Sequence, residues 1–285
     1  MYYLLYILFV LGLFHYQAFA QYTYGFKPIV SIGPTVGITH YQGDLDDNLG
    51  IKFAKPAFGF VAGVHLHPHL FVRGNFLHGW ISGSDANSGD AFRKNRNLSF
   101  ISPVTEFSLQ IGYDYFVSQK GWKFRPKFCP YVFFGVGAFR FNPMANPDST
   151  RLSIFNTAEY IPLQPLGTEG QKTKQTGSQA PYNLIQICIP MGIGFRQTIS
   201  KHFDIRVEFG MRKTFTDYLD DVSHKYVDPD LLTGKARVFA DRSLDANAFE
   251  TEQIRGYKEQ GDWYVYTSFS LIYIITASEV CPKFK

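Results

Sequence analysis

Residues 203–229 read FDIRVEFGMRKTFTDYLDDVSHKYVDP, and the first half of this stretch alternates. Phe203, Ile205, Val207, Phe209 and Met211 fall on one face; Asp204, Arg206, Glu208, Gly210 and Arg212 fall on the other. Successive residues of a β-strand point to opposite sides of the sheet. The pattern therefore describes a strand with one oily face and one charged face. From Phe215 onward the rhythm stops, and the rest is acidic and ends in Asp228-Pro229. The fold turns on which surroundings each face meets, and the function on what the acidic segment does.

With 285 residues the chain is long enough for one large domain or two small ones. A formal net charge of +4 is too mild to argue for a nucleic-acid partner, and no basic run with interleaved aromatics occurs. Residues 1–20, MYYLLYILFVLGLFHYQAFA, are apolar and end in the Ala18-Phe19-Ala20 pattern of a signal-peptidase site. The segment lacks the usual Lys or Arg at its start, so a retained anchor is the competing reading. No Cys follows the apolar core, which argues against a lipoprotein. The expected organisation is a signal peptide over 1–20 and one domain over 21–285. After residue 20 no run of 18 apolar residues provides a transmembrane helix. Export without such a helix leaves a secreted protein, a periplasmic protein or an outer-membrane barrel.

Eight segments carry strand character, at about 28–41, 57–67, 70–81, within 98–116, 123–141, 183–199, 203–214 and 262–276. Phe107, Leu109, Ile111, Tyr113 and Tyr115 alternate with Glu106, Ser108, Gln110, Gly112 and Asp114. Ile185, Ile187, Ile189, Met191, Ile193 and Phe195 alternate with Gln186, Cys188, Gly192, Gly194 and Arg196 in the same way. The segment 123–141 is aromatic on both faces and cannot be oriented. The first, third, fifth and seventh connections are long and polar, and the second, fourth and sixth are short. That asymmetry is the signature of an outer-membrane barrel, with long outside loops, tight periplasmic turns and both termini inside. In lipid every backbone polar group must be paired, so such a sheet closes on itself. A lipocalin-like barrel or a sandwich is the soluble alternative. The Gly- and Ser-rich polar faces suit a narrow lumen, and an aromatic content of 17% suits girdles at two membrane interfaces. The expected fold is all-β: an eight-stranded antiparallel transmembrane β-barrel with long extracellular loops and short periplasmic turns, in the outer membrane of a Gram-negative bacterium.

The lumen of that barrel would hold Arg73, Glu106, Asp114, Arg196, Asp204, Arg206, Glu208 and Arg212. Both signs are present, as buried charge requires, and eight strands enclose a bore that side chains roughly fill. A packed, salt-bridged lumen is expected rather than a pore. His65, His67 and His69 form H-L-H-P-H, read as a polar turn because no Cys or carboxylate stands near to complete a metal set. Asp44, Asp46 and Asp47 crowd the first long loop; Asp217, Asp220, Asp221, Asp228 and Asp230 crowd the last. Their spacing matches no calcium loop. Of the three Cys, Cys129 and Cys281 are placed at the same end and are the candidates for a disulfide, while Cys188 reads as a small interior residue. Residues 249–258, FETEQIRGYK, are a candidate short helix. No nucleophile elbow, triad order or phosphate loop is present, so neither catalysis nor a cofactor is expected.

The segment RVEFGMRKTFTDYLDDVSHKYVDP (206–229) resembles a signature of PorG-like outer-membrane barrels of the type IX (Por) secretion system. YQGDL (41–45), RPKF (125–128) with Tyr131, and CPKF (281–284) resemble other parts of those proteins. The likeness runs from about residue 25 to the end and rests mainly on TDYLDDVS (216–223). It implies a non-enzymatic subunit of protein transport, linked to gliding motility in some members, that contacts a periplasmic ring of a PorK-like lipoprotein and a PorN-like protein. Asp217, Tyr218, Asp220, Asp221 and Ser223 are its family-like residues, expected in a structural or docking loop outside the membrane. A small channel, or a surface adhesin or structural barrel, are the alternatives.

Overall fold

The computed structural model describes residues 28–46, 53–117, 125–146, 160–173, 180–245, 251–257 and 261–275. The expected signal peptide and Cys281 lie outside them. Eight long strands form the wall: β1 (Ile29–Gln42), β2 (Lys55–His65), β3 (Leu70–Ser84), β4 (Ser99–Asp114), β5 (Phe128–Phe141), β8 (Ile185–Thr198), β9 (Phe203–Thr214) and β10 (Trp263–Ile275). Two short segments, β6 (Met144–Ala145) and β7 (Ile161–Pro162), pair with each other, and β6 lies beside the start of β4. Every neighbouring pair of long strands is antiparallel, and β3 pairs with β4 to close the circle. The result is a closed eight-stranded barrel. No helix among the described residues is long and apolar enough to cross a membrane; the strands cross it.

The alternation read from the sequence becomes an inside and an outside. Along β9 Val207 and Phe209 are exposed, whereas Asp204, Arg206 and Arg212 are buried. Along β4 Phe107 is 64% exposed and Glu106 is 0% exposed. Apolar side chains facing out and charged ones facing in is the reverse of a soluble barrel, and lipid is the solvent that accepts it. At the short-turn end an aromatic girdle forms. It includes Phe128 stacked on Phe195 with ring centroids 5.5 Å apart, and Phe203 against Tyr273 at 5.3 Å.

The strand that could not be oriented is resolved by its neighbours. Val132, Phe134 and Val136 of β5 face outward; Tyr131, Phe133, Phe139 and Phe141 face the lumen. The lumen is therefore not uniformly polar. Near the short turns it holds charges around Phe71, Tyr131 and Phe133. Toward the long loops it is apolar, built from Tyr41, Leu77, Ile81, Val104, Phe139, Phe141 and Tyr264, and it continues into Leu219 and Val222 of the last loop.

Glycine makes room for the inward rings. A Cβ on Gly112 would lie 2.0 Å from the Phe71 ring, and one on Gly194 would lie 2.4 Å from Tyr131. The Phe71 ring, 4% exposed and packed edge-on against Tyr131, has no space to retreat into. Gly112→Val is expected to destabilise the barrel by roughly 1–3 kcal/mol through overpacking, while Ala138→Val on the lipid face leaves stability nearly unchanged. Urea unfolding in lipid vesicles tests this; equal midpoints for the two variants would refute the packing account.

Candidate functional site

The inward side chains form a column of ion pairs along the barrel axis. At the short-turn mouth Arg125 donates through Nη2 to Asp204 Oδ1 at 2.8 Å and to the Ser200 carbonyl at 2.7 Å. Next, Arg196 pairs with Asp114, whose same carboxylate oxygen lies 3.3 Å from His65 Nε2. Above these, Arg73 grips both oxygens of Glu208, donates from Nε to Gln110 at 2.9 Å, and shares Glu208 with the Tyr131 hydroxyl. The next tier is Arg212 donating to Glu106 at 3.1 Å, with the Tyr264 hydroxyl on the same carboxylate oxygen at 2.8 Å. Arg206 enters the same lumen with its guanidinium 5.9 Å from the Phe71 ring centroid. Burial of both signs in one narrow space is tolerable because each carboxylate is paired with an arginine, and Asp114, Glu208 and Glu106 also have His65, Tyr131 and Tyr264 beside them.

A lid of loops covers the other mouth. Tyr41, at the end of β1, donates toward Asp220 at 2.7 Å and Asp262 at 2.9 Å. Asp262 also accepts the Leu219 amide, and Asp220 the Val222 amide. Thr168 and Tyr182, from the connection between β5 and β8, donate to the two oxygens of Asp221 at 2.5 and 2.6 Å. Arg255 bonds Glu169 Oε1 at 2.9 Å and the Asp221 carbonyl at 2.7 Å. Arg96 clamps Asp85 at 2.7 and 2.8 Å, donates to the Asp44 carbonyl of the first connection at 3.1 Å and bonds the Arg255 carbonyl of the last. Phe141, Tyr182, Tyr218 and His224 stack in series, Tyr182 and Tyr218 with centroids 4.5 Å apart. The four long connections are thus cross-linked into one layer.

This layer changes how the acidic segment reads. Asp220, Asp221 and Ser223 are buried, and Leu219 and Val222 beside them join the apolar cluster of the lumen. TDYLDDVS is a structural segment, and its buried residues are not an exposed docking surface. Its turn places Asp221 at φ 68°, a left-handed conformation that Asp adopts more readily than most residues, and Thr168 and Tyr182 hold its side chain there. Asp228 and Asp230 stand apart, Asp228 capping the short turn at residues 229–231. No grouping of three or more metal-type ligands occurs among the described residues. His65 turns into the lumen while His67 and His69 stack on each other in the turn, 5.9 Å between centroids, so the three do not converge. The candidate helix at 249–258 is absent from its described residues: 251–257 form a turn and a bridge from Ile254 to Lys225, and the helix of this loop is Lys235–Ala240. Ile254 pairs across to another segment, which breaks the local bonds a helix needs.

The sequence placed Gln110 on the polar face of its strand and Arg125 and Tyr131 within the family-like stretch without assigning them to the column, and it passed over Tyr264 in the column and Glu169, Arg255 and Asp262 in the lid. Tyr131 and Tyr264 sit in strands at inward positions, so parity along a correctly oriented strand points to them. Glu169 and Arg255 lie in irregular loops where no periodicity exists.

The lid carboxyls are tuned by burial. Burial, with Asp44 and Glu169 nearby, pushes Asp217 up to about 7. Burial raises Asp221 to about 6 against the pull of Arg255, Thr168 and Tyr182. Burial also acts to raise Glu169, but His224 and Arg255 outweigh it and hold that carboxyl low. A carboxyl whose folded pKa lies above its unfolded value stabilises the fold most below the unfolded pKa, and that contribution is lost as pH rises through the folded pKa. The lid is therefore expected to loosen between pH 5 and 8. Amide exchange at Val222 and Ser223, corrected for its intrinsic pH dependence, should accelerate beyond the correction, and Asp217→Asn with Asp221→Asn should flatten the response; no difference from that variant would refute it. In the column, Arg73→Met strands Glu208 and is expected to cost about 3–5 kcal/mol, part of which Glu208→Met restores; additive losses in urea titrations would count against a coupled pair.

The sequence matches the model of the outer membrane protein beta-barrel domain over residues 6–232. Among solved structures the chain is similar to Neisserial surface protein A, at 6% identity and TM-score 0.40, covering 86% of this chain and 96% of that one. It is similar to a major outer membrane protein from Thermus thermophilus, at 14% identity and TM-score 0.39, covering 87% and 100%. It is similar also to Ail, the attachment invasion locus protein of Yersinia pestis, at 10% identity and TM-score 0.36, covering 87% and 97%. No curated protein matches the sequence. The family match spans most of the chain, and the barrel closes with its oily face outward: the protein belongs to the outer membrane protein beta-barrel domain family and is a multi-pass barrel of the outer membrane.

Proposed function

We propose that this barrel is a non-enzymatic subunit of the type IX protein secretion machinery and acts by contact with a periplasmic ring of a PorK-like lipoprotein and a PorN-like protein. The observation that carries the reading is TDYLDDVS (216–223), the family-like segment, which forms the centre of the lid through Asp220, Asp221 and Leu219. The lumen supports action by contact. Tyr41, Leu77, Glu106, Phe141 and Tyr264 are all 0% exposed, so a water-sized sphere does not reach these layers. A barrel so filled has no path for a protein substrate. On the family resemblance, partner contact falls at the opposite end, where the connections following β2, β4 and β8 lie and Leu66, Tyr115 and Ile199 are exposed.

Crosslinking in the native envelope, followed by identification of partners, tests this reading. The expected result is capture of a ring lipoprotein through the short-turn end, and deletion is expected to abolish export of cargo bearing the C-terminal secretion signal. A barrel recovered alone, with export intact, would overturn it. Planar-bilayer recording addresses the channel alternative: the expected trace is flat, and a stable conductance lost on neutralising Arg206 and Glu208 would replace the proposal with a pore.

A further inference from the structure

Two Lys or Arg side chains, and no Asp or Glu, face the lipid among the described residues of the eight long strands. The acidic strand residues Glu106, Asp114, Asp204 and Glu208 all take lumen positions and pair there. Arg73, Arg196, Arg206 and Arg212 also point inward, and Lys55 shares the parity of the inward Ala57 and Val61. Arg140 falls in step with the outward Val132, Phe134 and Val136, and Lys213 with the outward Val207 and Phe209. Each is the next-to-last residue of its strand, at the end that carries the long connections. The outward residues at the other end, Phe128, Phe195, Phe203 and Tyr273, are uncharged.

The two cations flank β8. Arg140 is paired with Ile185 and Lys213 with Ile189, which sets their Cα atoms roughly 16 Å apart across the wall. Between them β8 turns Ile185, Ile187 and Ile189 outward, an aliphatic strip in which Ile185 and Ile187 are well exposed. Lys213 Nζ rests 4.4 Å from the centroid of the Trp263 ring. That contact steadies the ammonium at the level where indole rings border a bilayer. Neither cation has an ion-pair partner among the described residues.

A cation on a lipid face reaches for water, and either membrane surface would serve that need. Two of one sign at one end, and none at the other, match an anionic headgroup layer on one side. Outer-membrane barrels carry their long loops outside, which puts Arg140 and Lys213 in the outer leaflet, where the lipid of a Gram-negative outer membrane is a phosphorylated glycolipid. We propose that the face formed by β5, β8 and β9 binds one such glycolipid, its phosphorylated head bridging Arg140 and Lys213 and its acyl chains laid on Ile185, Ile187 and Ile189. The guanidinium fork offers a phosphate two parallel N–H donors, and the ammonium adds a compact charge. The site uses only the lipid face and is independent of the secretion reading.

The test uses the full chain folded into phosphatidylcholine vesicles that contain a minor fraction of purified lipopolysaccharide, of its enzymatically dephosphorylated form, or of phosphatidylglycerol matched in charge. The urea midpoint is measured in each, and native mass spectrometry counts the glycolipid retained after transfer to detergent. The expected result is an upward shift of the midpoint with the phosphorylated glycolipid only, one molecule retained per barrel, and loss of both in the double variant Arg140→Gln, Lys213→Gln. Equal shifts with phosphatidylglycerol or the dephosphorylated form, or retention unchanged in the variant, would overturn the proposal. So would the same shift on adding inorganic phosphate to vesicles of phosphatidylcholine alone, which would mean an anion site rather than a lipid site. If the double variant does not fold, the wild-type comparison among the three lipids decides.

Discussion

A sheet that crosses lipid cannot leave a backbone group unpaired, and eight strands closed to satisfy that rule enclose a bore that only side chains can fill. The rest of this molecule depends on how that bore is filled. The outer face is settled by lipid, so all the chemical variety of the chain is forced inward or onto the loops. Near the short turns the filling is ionic, with Arg73 and Glu208 at its centre. Toward the long loops it is aromatic, and Phe139, Phe141 and Tyr264 carry the packing upward. The change from one to the other happens at Glu106, whose carboxylate takes both Arg212 and the Tyr264 hydroxyl.

The lid extends the same logic beyond the membrane. Tyr41 belongs to a barrel strand, yet its hydroxyl reaches two carboxyls of the last connection. A loop layer held this way is part of the fold rather than an appendage. Glu169 illustrates the linkage: it comes from the connection between β5 and β8, and its oxygen takes Arg255 and the amides of Ser223 and His224 from the last connection. The acidic character of 216–223 thus serves internal bonds to tyrosines, a threonine and backbone amides. A run of acidic residues in a polar loop reads as solvated surface only until its partners are located.

Much of the wall was legible from the sequence. Alternation in 203–214, 183–199 and 98–116 identified strands, their lipid faces and seven of the eight lumen charges, Arg73 coming from the weaker alternation of 70–81, and the long-short rhythm of connections marked the fold as an outer-membrane barrel. Orientation failed for β5 because Phe and Tyr occur at both parities, and an aromatic ring suits both a lipid face and an aromatic lumen layer. The short helix expected at 249–258 failed because Ile254 pairs with Lys225, a contact with no local trace.

What the sequence by itself determined is the set of faces. A strand's inside and outside are a local property with a period of two residues, and lipid makes the choice unambiguous. Only the tertiary structure decided who pairs with whom. Arg73 meets Glu208 across 135 positions of chain and Tyr41 meets Asp262 across 221. No periodicity spans such distances, because those neighbours exist only once the sheet has closed and the loops have folded over its mouth.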